Sequence, residues 1–202
     1  YIIMKELETI ELFIDESKEL DGIEAISLVE FPAIEENFVA LSEHKVEFKT
    51  IDADKRIVVG LALVPDKKIY RRNKDYEYNI VFSKDTVRKA SELYLKKLKL
   101  NNATLEHQSL TSGVSVIESW IVEDTEKDKT SLYNLNAPLG AWAVTMKIYN
   151  DDVWADVKAG KYLGFSIEGI FSDSVEEMAK ESEAKEILND ILKALEDEGE
   201  VL

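Results

Sequence analysis

Short apolar runs, many of them rich in β-branched residues, recur along most of the chain and are separated by polar or turn-forming segments. The run Arg-Ile-Val-Val-Gly-Leu-Ala-Leu-Val at 56–64 is one example. Alternation of apolar and polar positions over four to eight residues is typical of β-strands. Strands are therefore predicted at residues 23–29, 44–51, 56–64, 77–82, 103–108, 114–122, 141–149 and 162–171.

The apolar spacing becomes helical at a few places. A helix over 84–98 follows Ser83, a good capping residue, and its apolar face is formed by Val87, Ala90, Tyr94 and Leu98. A short helix capped by Asp151 and Asp152 is predicted to bury Trp154 and Val157 and to end at Gly160. After Asp173 an amphipathic helix is predicted, with its apolar stripe at Val175, Met178, Ile187, Ile191 and Leu195.

Many strands, few helices and no regular strand–helix alternation indicate an α+β fold based on an antiparallel sheet or barrel. The polar stretch between the strands at 114–122 and 141–149 is predicted to be a long surface loop. We expect one domain over residues 1–172 and an acidic, amphipathic helical tail over 173–202.

The chain is strongly acidic, with a formal net charge of −16. Residues 173–202 contain eleven acidic residues and three lysines, a net charge of −8 and half of the total. A polyanion such as nucleic acid or an anionic membrane is therefore not an expected partner.

The absence of cysteine excludes a disulfide framework, a thiolate zinc site and a cysteine nucleophile, and it fits a reducing cytosol. With two distant histidines and no HExxH motif, no metal or other cofactor is expected. No apolar run approaches the roughly 20 residues that span a bilayer, and the first residues do not resemble a signal peptide.

Candidate chemistry centres on Ser166 and His107. Ser166 lies in Gly-Phe-Ser-Ile-Glu-Gly, where flanking glycines would allow a substrate chain to approach, although glycines for strand curvature explain them equally well. The α/β-hydrolase nucleophile elbow is excluded, since Glu168 occupies the position that requires glycine and no histidine follows the serine. His44 lies in an exposed-looking strand start, so His107 is the plausible base for Ser166, with a strand-end surface histidine as the alternative.

Several carboxylates could orient the histidine of such a pair. Glu24 and Glu118 both lie within apolar strands, where a carboxylate is costly to bury unless it is hydrogen-bonded. For Glu118, exposure at the end of the strand is an equally good explanation.

Several segments, in order, resemble the XkdF-like prohead maturation serine proteases of tailed bacteriophages over roughly residues 8–172. They include GIEAISLVEFPAIEENFV (22–39), LVPDKKIYR (63–71), LEH (105–107), VSVIESWIVED (114–124), GAWAVTMKI (140–148) and GFSIEG (164–169). The resemblance implies an antiparallel β-barrel flanked by helices, similar to herpesvirus assemblin. It also implies a serine endopeptidase that cleaves scaffold and major capsid precursors, and often itself, inside the prohead in the host cytoplasm.

The resemblance places the family histidine at His107 and the family serine at Ser166. In many prohead proteases an acidic residue follows the serine, on a strand that ends in Pro-Ala; here the matching stretch, from Glu24 to Ala33, lies upstream. This order suggests a circular permutation, with Glu24 as the first choice to orient His107 and Glu118 as the second.

Two other functions remain open at this level. A non-catalytic phage structural protein with a tail-tube-like barrel could share the strand pattern. An acidic scaffold-binding module could use the C-terminal helix to dock onto scaffold or onto a second copy, as a homo-oligomer.

Overall fold

The computed structural model describes residues 7–30, 48–73 and 76–173. The strands in these residues are β1 (Thr9–Phe13), β2 (Gly22–Val29), β3 (Lys49–Asp52), β4 (Ile57–Leu63), β5 (Ile69–Asn73), β6 (Tyr76–Phe82), β7 (Ala103–Leu105), β8 (Ser109–Thr111), β9 (Val114–Ile121), β10 (Trp142–Ile148), β11 (Gly164–Ile170) and β12 (Ser172–Asp173). The helices are α1 (Lys84–Lys96), α2 (Lys129–Leu132) and α3 (Asp151–Lys158). The α+β class is confirmed.

The strands form three four-stranded sheets, in the orders β12-β1-β6-β5, β3-β4-β10-β9 and β11-β2-β7-β8. Most neighbours are antiparallel, as expected, but β1 pairs with β6 and β2 pairs with β7 in parallel. Long connections separate the partners in both parallel pairs, and such connections allow the second strand to run in either direction. Within the described residues the sheets do not close into one ring, so the barrel prediction is not confirmed.

The predicted strands in the described part of the chain are largely confirmed, with bounds that differ by one or two residues. Of the strand predicted at 44–51, residues 44–47 lie outside the described residues, and β3 covers the rest. The run at 103–108 is an exception, because the strand ends at Leu105 and a tight turn follows. The pattern does not predict β1, β5, β8 and β12, nor α2 within the expected surface loop.

Helix α1 confirms the prediction for 84–98 except at its C-terminal end. The Ser83 side chain accepts a hydrogen bond from the Thr86 amide, and Val87, Ala90 and Tyr94 are buried. Leu98 was expected on the same face, but it lies beyond the end of the helix, where it has a φ of +56° and is 81% exposed. A left-handed residue turns the chain out of the helix, which removes Leu98 from the apolar stripe.

Helix α3 buries Trp154 and Val157 as predicted, and Gly160 follows its end with φ +73°. Its N-cap, however, is Asn150, which accepts hydrogen bonds from two backbone amides, while Asp151 and Asp152 lie in the first turn. The predicted C-terminal helix falls in residues 174–202, outside the described residues, and so the domain division at 173 stays a prediction.

One continuous core connects the three sheets with α1 and α3. At its centre the fully buried Tyr94 ring meets the Trp142 ring edge-on, with centroids 5.4 Å apart. The Tyr94 hydroxyl has no hydrogen-bond partner among the described residues, and burial raises the pKa of Tyr94 well above its usual value. A buried donor without a partner lowers stability.

We therefore expect Tyr94→Phe to increase the free energy of unfolding by about 1 kcal/mol, because it removes an unpaired buried hydroxyl and keeps the ring. Urea denaturation followed by tryptophan fluorescence measures this change. Tyr149→Phe, at an exposed tyrosine, is the matched control and should leave stability unchanged. A loss of stability in Tyr94→Phe would contradict the assignment of an unpaired hydroxyl.

Candidate active site

The candidate site lies on one face of the sheet β11-β2-β7-β8. Ser166 of β11 pairs directly with Ser27 of β2, and Ser27 pairs with Thr104 of β7. Residues that pair directly across strands project from the same face, and alternate residues along one strand do so as well. Ser166, Ser27, Thr104 and Glu168 therefore share a face, on which Ser27 and Thr104 are buried.

Ser166 is half-buried, and its hydroxyl makes no hydrogen bond within the described residues. The glycine three residues later, Gly169, follows a shift in the pairing of β11 with β2. A Cβ at Gly169 would overlap the carbonyl oxygen of Gly22. This glycine is therefore required by the close approach of the two strands, and not by the approach of a substrate.

His107 lies in the tight turn that connects β7 to β8. The amide of Gln108 donates to the Leu105 carbonyl at 3.0 Å, and φ is +49° at Glu106 and +55° at His107. Two successive non-glycine residues in the left-handed region are unusual, and such a conformation persists only where surrounding contacts hold it.

Contacts with β2 hold this turn. The His107 amide donates to the Ser27 hydroxyl at 3.0 Å, and the Glu106 amide donates to the Leu28 carbonyl at 3.1 Å. The Glu106 carboxylate in turn accepts a hydrogen bond from the Glu30 amide at 2.7 Å. These bonds fold the turn over β2 and bring the His107 ring to the face that carries Ser166.

The carboxylate that meets the histidine is that of Glu168. Its Oε1 lies 3.1 Å from His107 Nδ1 and also accepts a hydrogen bond from the Thr104 hydroxyl. The two side chains are 33% and 31% exposed. A carboxylate at Nδ1 favours the neutral tautomer that is protonated there, and this tautomer leaves the Nε2 lone pair to accept a proton.

The two carboxylates chosen from the sequence, those of Glu24 and Glu118, have other partners than His107 in the structure. Glu24 does not face Glu168, because Ala25 is the residue opposite Glu168, and the pairing shift just beyond it leaves Glu24 without a partner on β11. The Glu24 carboxylate instead pairs with Lys99 Nζ at 2.5 Å. Neither that carboxylate nor the one of Glu118 contacts His107 in the described part of the molecule.

Glu118 belongs to a separate ion pair. Its carboxylate accepts hydrogen bonds from Lys129 and from the Thr145 hydroxyl, the latter at 2.6 Å. The hydrogen bond from Lys129, supported by the one from Thr145, holds the pKa of the Glu118 carboxyl below its usual value. The Glu118 side chain is also 44% exposed, as the alternative explanation from the sequence expected, so exposure and these contacts together explain why a carboxylate is tolerated in this strand.

The sequence contained a signal for Glu168 that was not used. Glu168 is two residues after Ser166 on the same strand, and side chains at that spacing lie on one face. The same residue excludes a nucleophile elbow, because it occupies the position that requires glycine. His44 lies outside the described residues.

The edge of β11 that is not paired with β2 borders a cleft of about 240 Å³. Ser166 contributes to its lining, and most of the remaining surface is apolar, with Phe165, Ile167, Leu63 and Ile80 among the residues that form it. β11 has one paired neighbour, β2, within the described residues, so its other edge faces this cleft.

Residues 7–30, 48–73 and 76–173 contain no cluster of three or more side chains suited to hold a metal ion. No helix in these residues is long and apolar enough to cross a membrane.

Comparison with known proteins gives one family. The family described as "Putative phage serine protease XkdF" matches residues 45–176, more than half of the chain. The matched segment includes His107, Ser166 and Glu168, whereas Glu24 precedes it. No curated protein and no solved structure matches the chain.

We expect Glu118 to have a structural role. Its lowered pKa means that the ion pair stabilises the fold above the unfolded-state pKa of about 4.3 and that this contribution is lost as pH falls through the folded-state value. Because both partners are partly exposed, Glu118→Gln should lower the free energy of unfolding at neutral pH by about 0.5 kcal/mol.

The measurement is urea denaturation of wild type and Glu118→Gln at neutral and at strongly acidic pH, with exposed Glu126→Gln as the control. The difference between Glu118→Gln and wild type should disappear in acid. A difference that is the same at both pH values would contradict the ion-pair assignment.

Proposed function

Because the chain belongs to the family described as "Putative phage serine protease XkdF", we propose that it is a serine endopeptidase with Ser166 as nucleophile, His107 as general base and Glu168 as the residue that orients His107. The observation that carries this assignment is the contact of Glu168 with His107 Nδ1 on the face of the sheet that bears Ser166. A nucleophile, a base and a carboxylate that fixes the base are the parts that hydroxyl activation requires.

The proposed reaction is acyl transfer. His107 Nε2 accepts the proton of Ser166 as its Oγ attacks the scissile carbonyl carbon, and the Glu168 carboxylate stabilises the imidazolium that forms. The imidazolium then gives this proton to the leaving amine, so the peptide bond breaks and an acyl-enzyme remains. Water, deprotonated by His107, hydrolyses the acyl-enzyme and restores the serine.

The apolar cleft beside Ser166 supports a peptide as the substrate. Within the described residues β11 is paired along one edge only. Beyond the hydrogen bond from the Phe48 amide to the Leu163 carbonyl, an extended peptide could pair with its other edge, as in other complexes in which a peptide adds a strand to a sheet. Its side chains would alternate between the face of His107 and the cleft.

We further propose that the substrates are the scaffold and major capsid precursors of a phage, cleaved inside the prohead in the host cytoplasm. This setting, and a barrel of the assemblin type, follow from the resemblance of the chain to prohead proteases. Contacts between two of the sheets support the barrel: the Phe48 amide donates to the Leu163 carbonyl at 2.8 Å, and the Phe48 and Phe165 rings lie 5.2 Å apart.

Ser166→Ala should abolish cleavage of a co-expressed scaffold or capsid precursor, a loss of several orders of magnitude in rate, because the acyl acceptor is removed. Gel electrophoresis and mass spectrometry of the precursor measure the loss, and circular dichroism checks that the fold is kept. Ser115→Ala, on the separate strand β9, is the control.

Labelling with a serine-reactive fluorophosphonate tests the same assignment without a substrate. We expect an adduct on Ser166 in the wild type and none in His107→Ala. Undiminished processing by Ser166→Ala would refute the protease, and absence of the adduct would favour a tail-tube-like structural protein.

A carboxylate series identifies the third residue. Glu168→Gln should lower kcat/KM by about 100-fold or more, because an amide can stabilise the wrong histidine tautomer and does not compensate the imidazolium charge. Glu24→Gln and Glu118→Gln, whose carboxylates pair with Lys99 and Lys129, should keep kcat/KM within about threefold. A larger loss in Glu24→Gln than in Glu168→Gln would refute the assignment.

A further inference from the structure

Two buried hydroxyls lie beneath the pair formed by His107 and Glu168. Ser27 and Thr104 are neighbours in register across β2 and β7, and they are 0% and 5% exposed. Each of them makes a hydrogen bond to a different member of the pair. Burying a hydroxyl lowers the stability of the fold unless the hydroxyl is hydrogen-bonded. The hydrogen bonds of Ser27 and Thr104 therefore indicate the roles of these two side chains.

Ser27 contacts the backbone of the histidine. Its hydroxyl oxygen accepts the His107 amide hydrogen, with 3.0 Å between nitrogen and oxygen. His107 is the second of two successive residues with positive φ. The hydrogen bond therefore holds a conformation that the residue rarely adopts, and that conformation decides where the imidazole lies.

Thr104 contacts the carboxylate. Its hydroxyl donates to Glu168 Oε1, the same oxygen that lies 3.1 Å from His107 Nδ1. One carboxylate oxygen is thus held by two side chains from β7 and from the turn that follows it. Without the hydroxyl, the partly exposed Glu168 side chain would be free to rotate into solvent.

We infer that Ser27 and Thr104 are positioning residues of the active site. Ser27 acts through the backbone of His107 and sets the place of its ring, while Thr104 acts through Glu168 and sets the tautomer of that ring. The inference rests on the proposed function, and it assigns a role in catalysis to two residues that do not touch the substrate.

A matched pair of threonines separates this role from an ordinary contribution to stability. Thr145 is 1% exposed, and its hydroxyl donates to the carboxylate of Glu118, which also pairs with a cation. Thr145 therefore repeats the chemistry of Thr104 in a different sheet, away from Ser166. Thr→Val removes the hydroxyl at nearly constant volume, and Thr→Ser keeps it.

The variants are Thr104→Val, Thr104→Ser, Ser27→Ala and Thr145→Val, assayed with the purified scaffold protein encoded by the same phage. We expect kcat to fall by about 10- to 100-fold in Thr104→Val and Ser27→Ala with KM unchanged, because the base and its carboxylate are misplaced. The kcat of Thr104→Ser and that of Thr145→Val should each stay within about threefold of wild type. Thr145→Val should nevertheless lose stability, as Thr104→Val does, because each loses a buried hydrogen bond.

A spectroscopic measurement tests the inference without any substrate. Nitrogen-15 NMR of the ring nitrogens reports the tautomer of the neutral histidine, and the only other histidine in the chain, His44, provides the reference signals. Thr104→Val should lower the fraction of His107 that carries its proton on Nδ1, while Thr104→Ser and Thr145→Val should not.

An unchanged kcat in Thr104→Val and Ser27→Ala would overturn the inference, and so would an equal loss of kcat in Thr145→Val. An unchanged tautomer in Thr104→Val would overturn the role of Thr104. If Ser166→Ala still cleaved the scaffold, the proposed function would fail, and the NMR measurement would still decide whether Thr104 holds the carboxylate.

Discussion

The pairing of β11 with β2 is the constraint on which the rest of the site depends. Phe165 packs in the core on one side of β11, with Ile167 against it, so Ser166 and Glu168 must project from the other side. A slip of one residue would exchange the two sets and expose the phenylalanine, whose burial contributes about 2 kcal/mol. Hydrophobic packing therefore fixes the orientation of the polar side chains, and the contact of Glu168 with His107 follows from it.

Much of the local structure could be predicted from the sequence, for physical reasons. Short apolar runs indicate strands because β2, β4 and β10 are buried along almost their whole length. Ser83 followed by Val87 and Ala90 indicates a helix, because a capping residue precedes apolar residues at helical spacing. With one other histidine in the chain, His107 is the base that the sequence favours, and its catalytic role stays a prediction. The pairing of distant strands could not be predicted in this way, since two parallel pairs and three separate sheets arise from long-range packing.

The choice of Glu24 shows where sequence reasoning reached its limit. The resemblance pointed to β2, which lies beside β11, but Ala25 is the residue opposite Glu168 and the Glu24 carboxylate pairs with Lys99. The register between two strands, including the shift that follows Glu168, has no signature in the apolar pattern. The position of Glu168 on the face of Ser166 could be predicted from the alternation of side chains along one strand. That prediction does not require the register between two strands.

The parallel pairing of β2 with β7 also has a consequence for when the site can form. The hydrogen bond between His107 and Ser27 joins residues 80 positions apart, and the contact between His107 and Glu168 joins residues 61 positions apart. Contacts of such sequence separation form slowly, because a large loop must close before they stabilise the chain. A growing chain cannot make the second of these contacts before residue 168 has been synthesised. The candidate site is therefore assembled late in folding, and the hydrolytic activity proposed for it can begin only after synthesis has passed β11.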